Sequence, residues 1–214
     1  MGTRAIELTP AKRPGGRRLV AGALLAGLAL SGCSIDTADQ NESDILLIIT
    51  EVETVAGGSG DTGAFLLSDV IRIEDPAGFF NDNASLTVEN VQKNANAPTQ
   101  SNYSDVILER YTVRYFRTDG HNVQGVDVPY AFQGPLGGSI PAGDEAGIAF
   151  ILVRHSAKEE PPLNALQGTS NNAVGGGEGI FTAFAEVVIY GRTLAGKVVS
   201  ASTNISITFG DFGD

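Results

Sequence analysis

The sequence predicts an all-β fold, an antiparallel β-sandwich of about eight strands. Three observations predict it. Apolar and polar residues alternate with period two in segment after segment from Ile45 to Phe209, which sends one side of each segment into a core. Clusters of turn formers separate the segments, as in "DPAGFFNDN", "TDGHN" and "GPLGGSIPAGD", and glycine supplies 27 of 214 residues. No stretch sustains the 3.6-residue spacing of a long amphipathic helix; Trp is absent and Met stands only at position 1.

The first element precedes the sandwich. Residues 1–33 hold Arg4, Lys12, Arg13, Arg17 and Arg18 against one acid, Glu7. The unbroken apolar run "LVAGALLAGLAL" (Leu19–Leu30) follows, then Ser31, Gly32 and Cys33, the chain's one cysteine. A basic head, a short apolar run and small residues after it describe a secretory signal peptide. The run is too short for a membrane-crossing helix, which needs about 20 apolar residues. Leu30-Ser31-Gly32-Cys33 resembles the lipobox of bacterial lipoproteins. That resemblance implies cleavage between Gly32 and Cys33, a diacylglycerol on the Cys33 thiol and an acyl group on its new amine. Two or three chains anchor stably where one holds only marginally. Ser34, in place of an aspartate, implies the outer membrane of a two-membrane bacterium, with the protein facing the periplasm or the cell surface.

The chain therefore divides into a signal peptide (1–32), a lipidated Cys33 with a flexible acidic tether to residue 44, and a single sandwich domain (45–214). The basic head carries +4 of a chain total of −11, which leaves −15 on residues 34–214. Such a body repels nucleic acid and anionic lipid head groups, so the membrane is met through the anchor and nucleic acid is not a partner. No second cysteine exists to form a disulfide, and the core must be stable on packing alone.

"ILLIITEVETV" (Ile45–Val55) is the first strand-like segment. "FLLSDVIRI" (Phe65–Ile73) is expected to place Leu67, Ile71 and Ile73 on one face. "SLTVENV" (Ser85–Val91) alternates Leu86 and Val88 against Thr87 and Glu89. "VILERYTVRYFRT" (Val106–Thr118) points Tyr111, Val113 and Tyr115 one way and Arg110, Thr112 and Arg114 the other. "VDVPYAF" (Val126–Phe132) groups Val128, Tyr130 and Phe132, and its Pro129 marks an edge or a bulge. "GIAFILVRH" (Gly147–His155) is apolar on both faces and predicts a central strand. A helical turn near "AKEEPPLNAL" (Ala157–Leu166) is limited by Pro161 and Pro162. "FTAFAEVVIY" (Phe181–Tyr190) and "VVSASTNISITF" (Val198–Phe209) form a hairpin across "GRTLAGK", with Val199, Ala201, Ile205, Ile207 and Phe209 inward. The Gly-rich stretches Ala56–Gly63 and Asn171–Gly179 read as surface loops. Strand number and spacing resemble an immunoglobulin- or fibronectin-like domain; a lipocalin-like barrel is the alternative.

Few residues point to chemistry. His121 and His155 have no neighbouring ligand at metal-binding spacing, and zinc or copper needs three or four. Calcium would draw on Asp75, Asp82 and Asn83 in "EDPAGFFNDN" and on Asp61, but the D-x-D-x-D-G spacing is missing. There is no G-x-S-x-G elbow and no phosphate loop, and Glu159-Glu160 beside prolines reads as a charged turn. The expectation is a protein that is not an enzyme and holds no cofactor other than its lipid. Its role is structural or protein-binding within the envelope, through an unidentified protein partner; a small-ligand or calcium module, and after it a hydrolase, are the alternatives. The candidate binding surface combines Tyr111, Arg114, Tyr115, Arg117, Tyr130, Arg154 and Lys158, aromatic and basic residues on an otherwise acidic domain. A ligand pocket would be lined by Tyr111, Tyr115, Tyr130 and Phe132.

Overall fold

The computed structural model describes residues 43–94, 96, 101–168 and 179–212. The expected signal peptide, the expected cleavage and lipidation site at Gly32-Cys33, most of the expected tether and all of Asn171–Gly179 but its last residue lie outside them. Ten strands follow in order: β1 (Ile45–Val55), β2 (Thr62–Gly63), β3 (Leu66–Asp69), β4 (Asp82–Gln92), β5 (Val106–Phe116), β6 (Phe132–Pro135), β7 (Ser139–Ile140), β8 (Glu145–Val153), β9 (Ile180–Thr193) and β10 (Val198–Gly210). The one-turn helix α1 (His155–Lys158) follows β8, and 3-10 turns cover Asn102–Ser104 and Leu163–Leu166. The two strands beyond the expected eight are the two-residue β2 and β7.

Two sheets result, ordered β2-β1-β4-β8 and β3-β10-β9-β5-β6, with β7 also pairing β5. The fold is the all-β sandwich that the alternation predicts. All pairings are antiparallel except β3 with β10, which run parallel from Leu66↔Ile207 to Asp69↔Gly210. Strands β1, β4 and β8 take the A-B-E order of an immunoglobulin sheet, and β5, β9 and β10 take its C-F-G order. Fold likeness of this kind carries no function by itself. The facing strands β4 and β9 contain no cysteine, so aliphatic packing holds the sheets where a disulfide would otherwise pin them.

The core lies between the two inner faces. Leu86 and Val88 of β4 and Ile148, Phe150 and Leu152 of β8 meet Val113 and Tyr115 of β5, Val187 and Ile189 of β9, and Ile205, Ile207 and Phe209 of β10. Each fully buried aliphatic or aromatic side chain of this kind contributes about 1.5–3 kcal/mol. Tyr111 of β5 packs on Phe150 of β8 with ring centroids 4.9 Å apart. That contact requires a glycine at 134, because a Cβ there would lie 2.7 Å from Cζ of Tyr111.

Three segments differ from the expected pattern. In β3 and the residue after it the inward positions are Leu66, Ser68 and Val70, while Leu67 and Ile73 stand 49% and 59% exposed. The phase is opposite to the expectation because a buried hydroxyl, Ser68, occupies an inward position that only apolar residues were expected to fill. The Val126–Phe132 segment begins its strand only at Phe132. Turn bonds from the amides of Gly125 and Val126 to Val128 and Val123, 2.8 and 3.1 Å, hold the preceding loop. Val128 is buried, but Tyr130 turns out to solvent at 49% exposure. Strand β8 is an edge strand, paired only with β4 among the described strands. Its apolar outward face consists largely of the small residues Gly147 and Ala149, both exposed. A bulge opposite Asp82/Asn83 turns Leu152 and Val153 both inward.

Candidate functional site

Asp82 opens β4 in phase with the inward residues Ala84, Leu86 and Val88, so its carboxylate enters the core. Lys158 ends α1, and the reversal of the chain after β8 carries its side chain under the sandwich. Both side chains are buried, at 1% exposure for Lys158 and 0% for Asp82, and Nζ lies 3.0 Å from Oδ2. Lys158 Nζ also donates to Oδ1 at 3.1 Å and to the Asp69 carbonyl at 2.7 Å. Ser68 Oγ donates to Oδ2 at 2.6 Å, and the Gly57 amide donates to Oδ1 at 2.7 Å. Desolvation raises the Asp82 pKa above its ordinary value, against the opposing pull of the Lys158 charge. A buried charge without such partners would be prohibitively costly.

Beside this cluster a cleft of about 510 Å³ opens between the edge strands β2 and β3. Its walls include Ala56, Gly57, Phe65, Leu67 and Phe212, and its rim carries Asp61, Asp69, Arg72 and Glu74. Local hydrogen bonds shape it. Buried Thr54 donates its hydroxyl to the carbonyls of Gly63 and Phe65 at 2.9 and 2.8 Å. The Ala56 amide donates to the Asp61 carbonyl at 2.8 Å, closing the glycine-rich turn. Gly57 must be glycine, since an added Cβ would lie 2.7 Å from Cβ of Phe80. The Phe212 amide donates to Asp69 Oδ1 at 3.2 Å, which ties the end of the chain to the wall. Phe65 and Leu67 are 59% and 49% exposed. Gly57 links the two features, lining the cleft while its amide holds Asp82 beneath.

The residues expected to form one binding surface are dispersed. Tyr111 and Tyr115 are interior, 5% and 3% exposed, and so belong to the core rather than to a surface or a pocket lining. Lys158 is interior as well, its charge spent on Asp82. Arg114 lies on the outer face of the larger sheet, 2.8 Å from Glu186. Arg117 lies at the end of that face, pairing with Asp119 and placed 5.3 Å from the ring centroid of Phe181. Tyr130 stands on the loop before β6. The guanidinium of Arg154 sits 4.6 Å over the ring of Phe132, a half-buried cation–π contact.

The calcium candidates separate too. Asp75 and Asn83 are exposed, whereas Asp82 is occupied by an ammonium rather than open to a metal. His121 lies 3.7 Å from Asp127, and His155 bonds Asn81 at 3.1 Å through Nδ1. Among the described residues no group of three or more His, Cys, Asp or Glu side chains converges as a metal site would require.

Sequence reasoning missed the cleft and the Lys158–Asp82 pair. Asp82 had a signal, its even spacing from Ala84, Leu86 and Val88; Ser68 had the same signal between Leu66 and Val70. Lys158 had none, since a four-residue helix has no period to read. No protein-family model matches the chain, and no curated protein matches it.

Proposed function

We propose that this chain is a lipid-anchored cell-envelope protein whose sandwich domain binds a protein partner at the cleft between β2 and β3. The observation that carries the reading is the pair of exposed apolar side chains, Phe65 and Leu67, beside a cleft of about 510 Å³. The cleft lies where both sheets end, β2 being terminal in one and β3 in the other. A terminal strand leaves backbone donors and acceptors unmatched, and an extended segment can add to it with its side chains in an adjoining groove. The occupant favoured here is an extended apolar segment of another envelope protein, with basic residues to meet the −15 charge of residues 34–214. Attachment through Cys33 supports the same reading by holding the domain among envelope proteins. Among the described residues no helix is long and apolar enough to cross a membrane.

A photoreactive amino acid at position 67, irradiated in the native envelope, tests this. The expected result is a discrete covalent adduct with one protein, lost when Phe65→Asp is added. Absence of an adduct, together with a raised melting midpoint on adding calcium or a small envelope metabolite, overturns protein binding in favour of a ligand module.

A further inference from the structure

Asp82 and Lys158 are arranged for more than an ion pair. Nζ stands 3.0 and 3.1 Å from the two carboxylate oxygens, which puts it within reach of the carbon between them. Each oxygen also has a donor of its own, the Gly57 amide on Oδ1 at 2.7 Å and the Ser68 hydroxyl on Oδ2 at 2.6 Å. The Asp69 carbonyl accepts from Nζ at 2.7 Å and orients it. We propose that Lys158 and Asp82 condense in the folded protein to an intramolecular amide between Nζ and Cγ.

The step balances without an outside reagent. One proton passes from the Lys158 ammonium to Oδ2, giving a neutral amine and a neutral carboxylic acid. The Nζ lone pair then attacks Cγ, and the negative charge that develops on Oδ1 falls on the Gly57 amide, already in place as an oxyanion donor. A second proton moves from Nζ to the departing Oδ2, the Cγ–Oδ2 bond breaks, and one water leaves. Nζ keeps one hydrogen, directed at the Asp69 carbonyl. Ser68 bonds the oxygen that departs and can relay its proton.

Three physical circumstances favour the reaction. Burial raises the Asp82 pKa, so the protonated acid needed for attack is more accessible than at the surface. Well-oriented groups within one molecule reach effective molarities of about 10⁵–10⁸ M, and Nζ is held against both oxygens of the carboxylate. A core that excludes water also resists the reverse hydrolysis. An ion pair kept in a core is, by contrast, often no more stabilising than apolar residues of the same size. The amide would join the start of β4 to the end of α1, 76 residues apart, in a chain with no disulfide available.

Tryptic digestion of the unfolded, purified full-length chain with mass spectrometry decides it. Asp82 falls in the peptide Ile73–Lys93 and Lys158 ends the peptide His155–Lys158. An acylated Lys158 blocks cleavage there. The expected product is therefore Ile73–Lys93 joined to His155–Arg192, lighter than the two together by one water. Recovery of His155–Lys158 and Ile73–Lys93 as separate peptides in full yield overturns the proposal. In Lys158→Arg the two regions should separate completely, folded or not; a joined product there would remove Lys158 as the donor.

Discussion

The Tyr115 hydroxyl donates to the Leu152 carbonyl across the core at 2.7 Å, joining β5 of one sheet to β8 of the other. Tyr111, two turns of the pleat earlier on β5, also meets β8, but its phenol oxygen accepts, from the backbone N–H of Ile151. Both contacts fall at the bulge in β8, where the register with β4 shifts between Asp82 and Asn83. In a sandwich without a disulfide these phenols join the Ser68–Asp82 bond as polar ties between the sheets, and the aromatic rings around them supply packing.

Tyr115→Phe keeps the ring and removes the tie. The Leu152 carbonyl is then buried without its partner, at a cost of about 1–3 kcal/mol. Urea unfolding should show a lower midpoint with an unchanged slope; an unchanged midpoint would mean that the bond contributes nothing.

The same phenol predicts an alkaline transition. Burial is the main cause holding the Tyr115 pKa above its ordinary 10.0. A pKa raised in the folded state means the folded chain keeps its proton longer than the unfolded one. The associated stability is fully present below pH 10.0 and is lost as pH climbs toward the folded value. Melting midpoints should therefore fall more steeply above pH 10 in the parent than in Tyr115→Phe. Parallel curves would show that Tyr115 ionises as freely as in the unfolded chain.

Gly134→Ala tests a close approach. The added Cβ would stand 2.7 Å from Cζ of Tyr111, and neither the Tyr111–Phe150 contact nor the β5–β6 ladder at Tyr111↔Gly134 gives room. Overpacking of this kind costs about 1–3 kcal/mol, read as a lower thermal midpoint. The double variant with Tyr111→Leu should recover part of the loss, since the clash goes with the ring.

The inward faces of β4, β5, β9 and β10 were legible because their alternation is carried by apolar residues with few interruptions. Tyr111, Val113 and Tyr115 share one face as expected, and that face is the inner one. The same observation undercuts their use as a binding surface, since an aromatic in phase with the core is core. β3 was misread because Ser68 and Asp82 satisfy each other inside, and alternation in hydrophobicity cannot register a polar pair that is matched in space. Edge and centre were confused at β8 because Gly147 and Ala149 count as apolar yet bury almost nothing. The cleft forms where the chain passes from β2 to β3 within a few residues and leaves one sheet for the other, and alternation within a segment does not register such a change of sheet.

Asp82→Ala is expected to be the most damaging single substitution in the domain. It leaves the Lys158 ammonium buried with only the Asp69 carbonyl, and it leaves the Ser68 hydroxyl and Gly57 amide without their acceptor. Breaking a buried pair in this way costs about 3–5 kcal/mol, a large part of the stability of a domain this size. Because Gly57 also lines the cleft, its loop should loosen, and hydrogen exchange at Ala56–Asp61 should rise well beyond the level expected from global unfolding. Stability close to the parent's, with unchanged exchange in that loop, would show that the pair is not what holds the cleft in place.

Cys33→Ala tests the anchor, and the argument turns on chain number. One acyl chain binds a bilayer only reversibly, whereas the lipobox resemblance implies two or three on a single residue. Loss of that one thiol should therefore move the protein from fully membrane-bound to uncleaved precursor or soluble chain, with no intermediate state. The acidic body cannot substitute for the lipid, because −15 on residues 34–214 is repelled by anionic head groups. Detergent partitioning with radiolabelled fatty acid reads both outcomes at once. A Cys33→Ala chain that still incorporates label and enters the detergent phase would place the lipid elsewhere and remove the anchor from the proposed function.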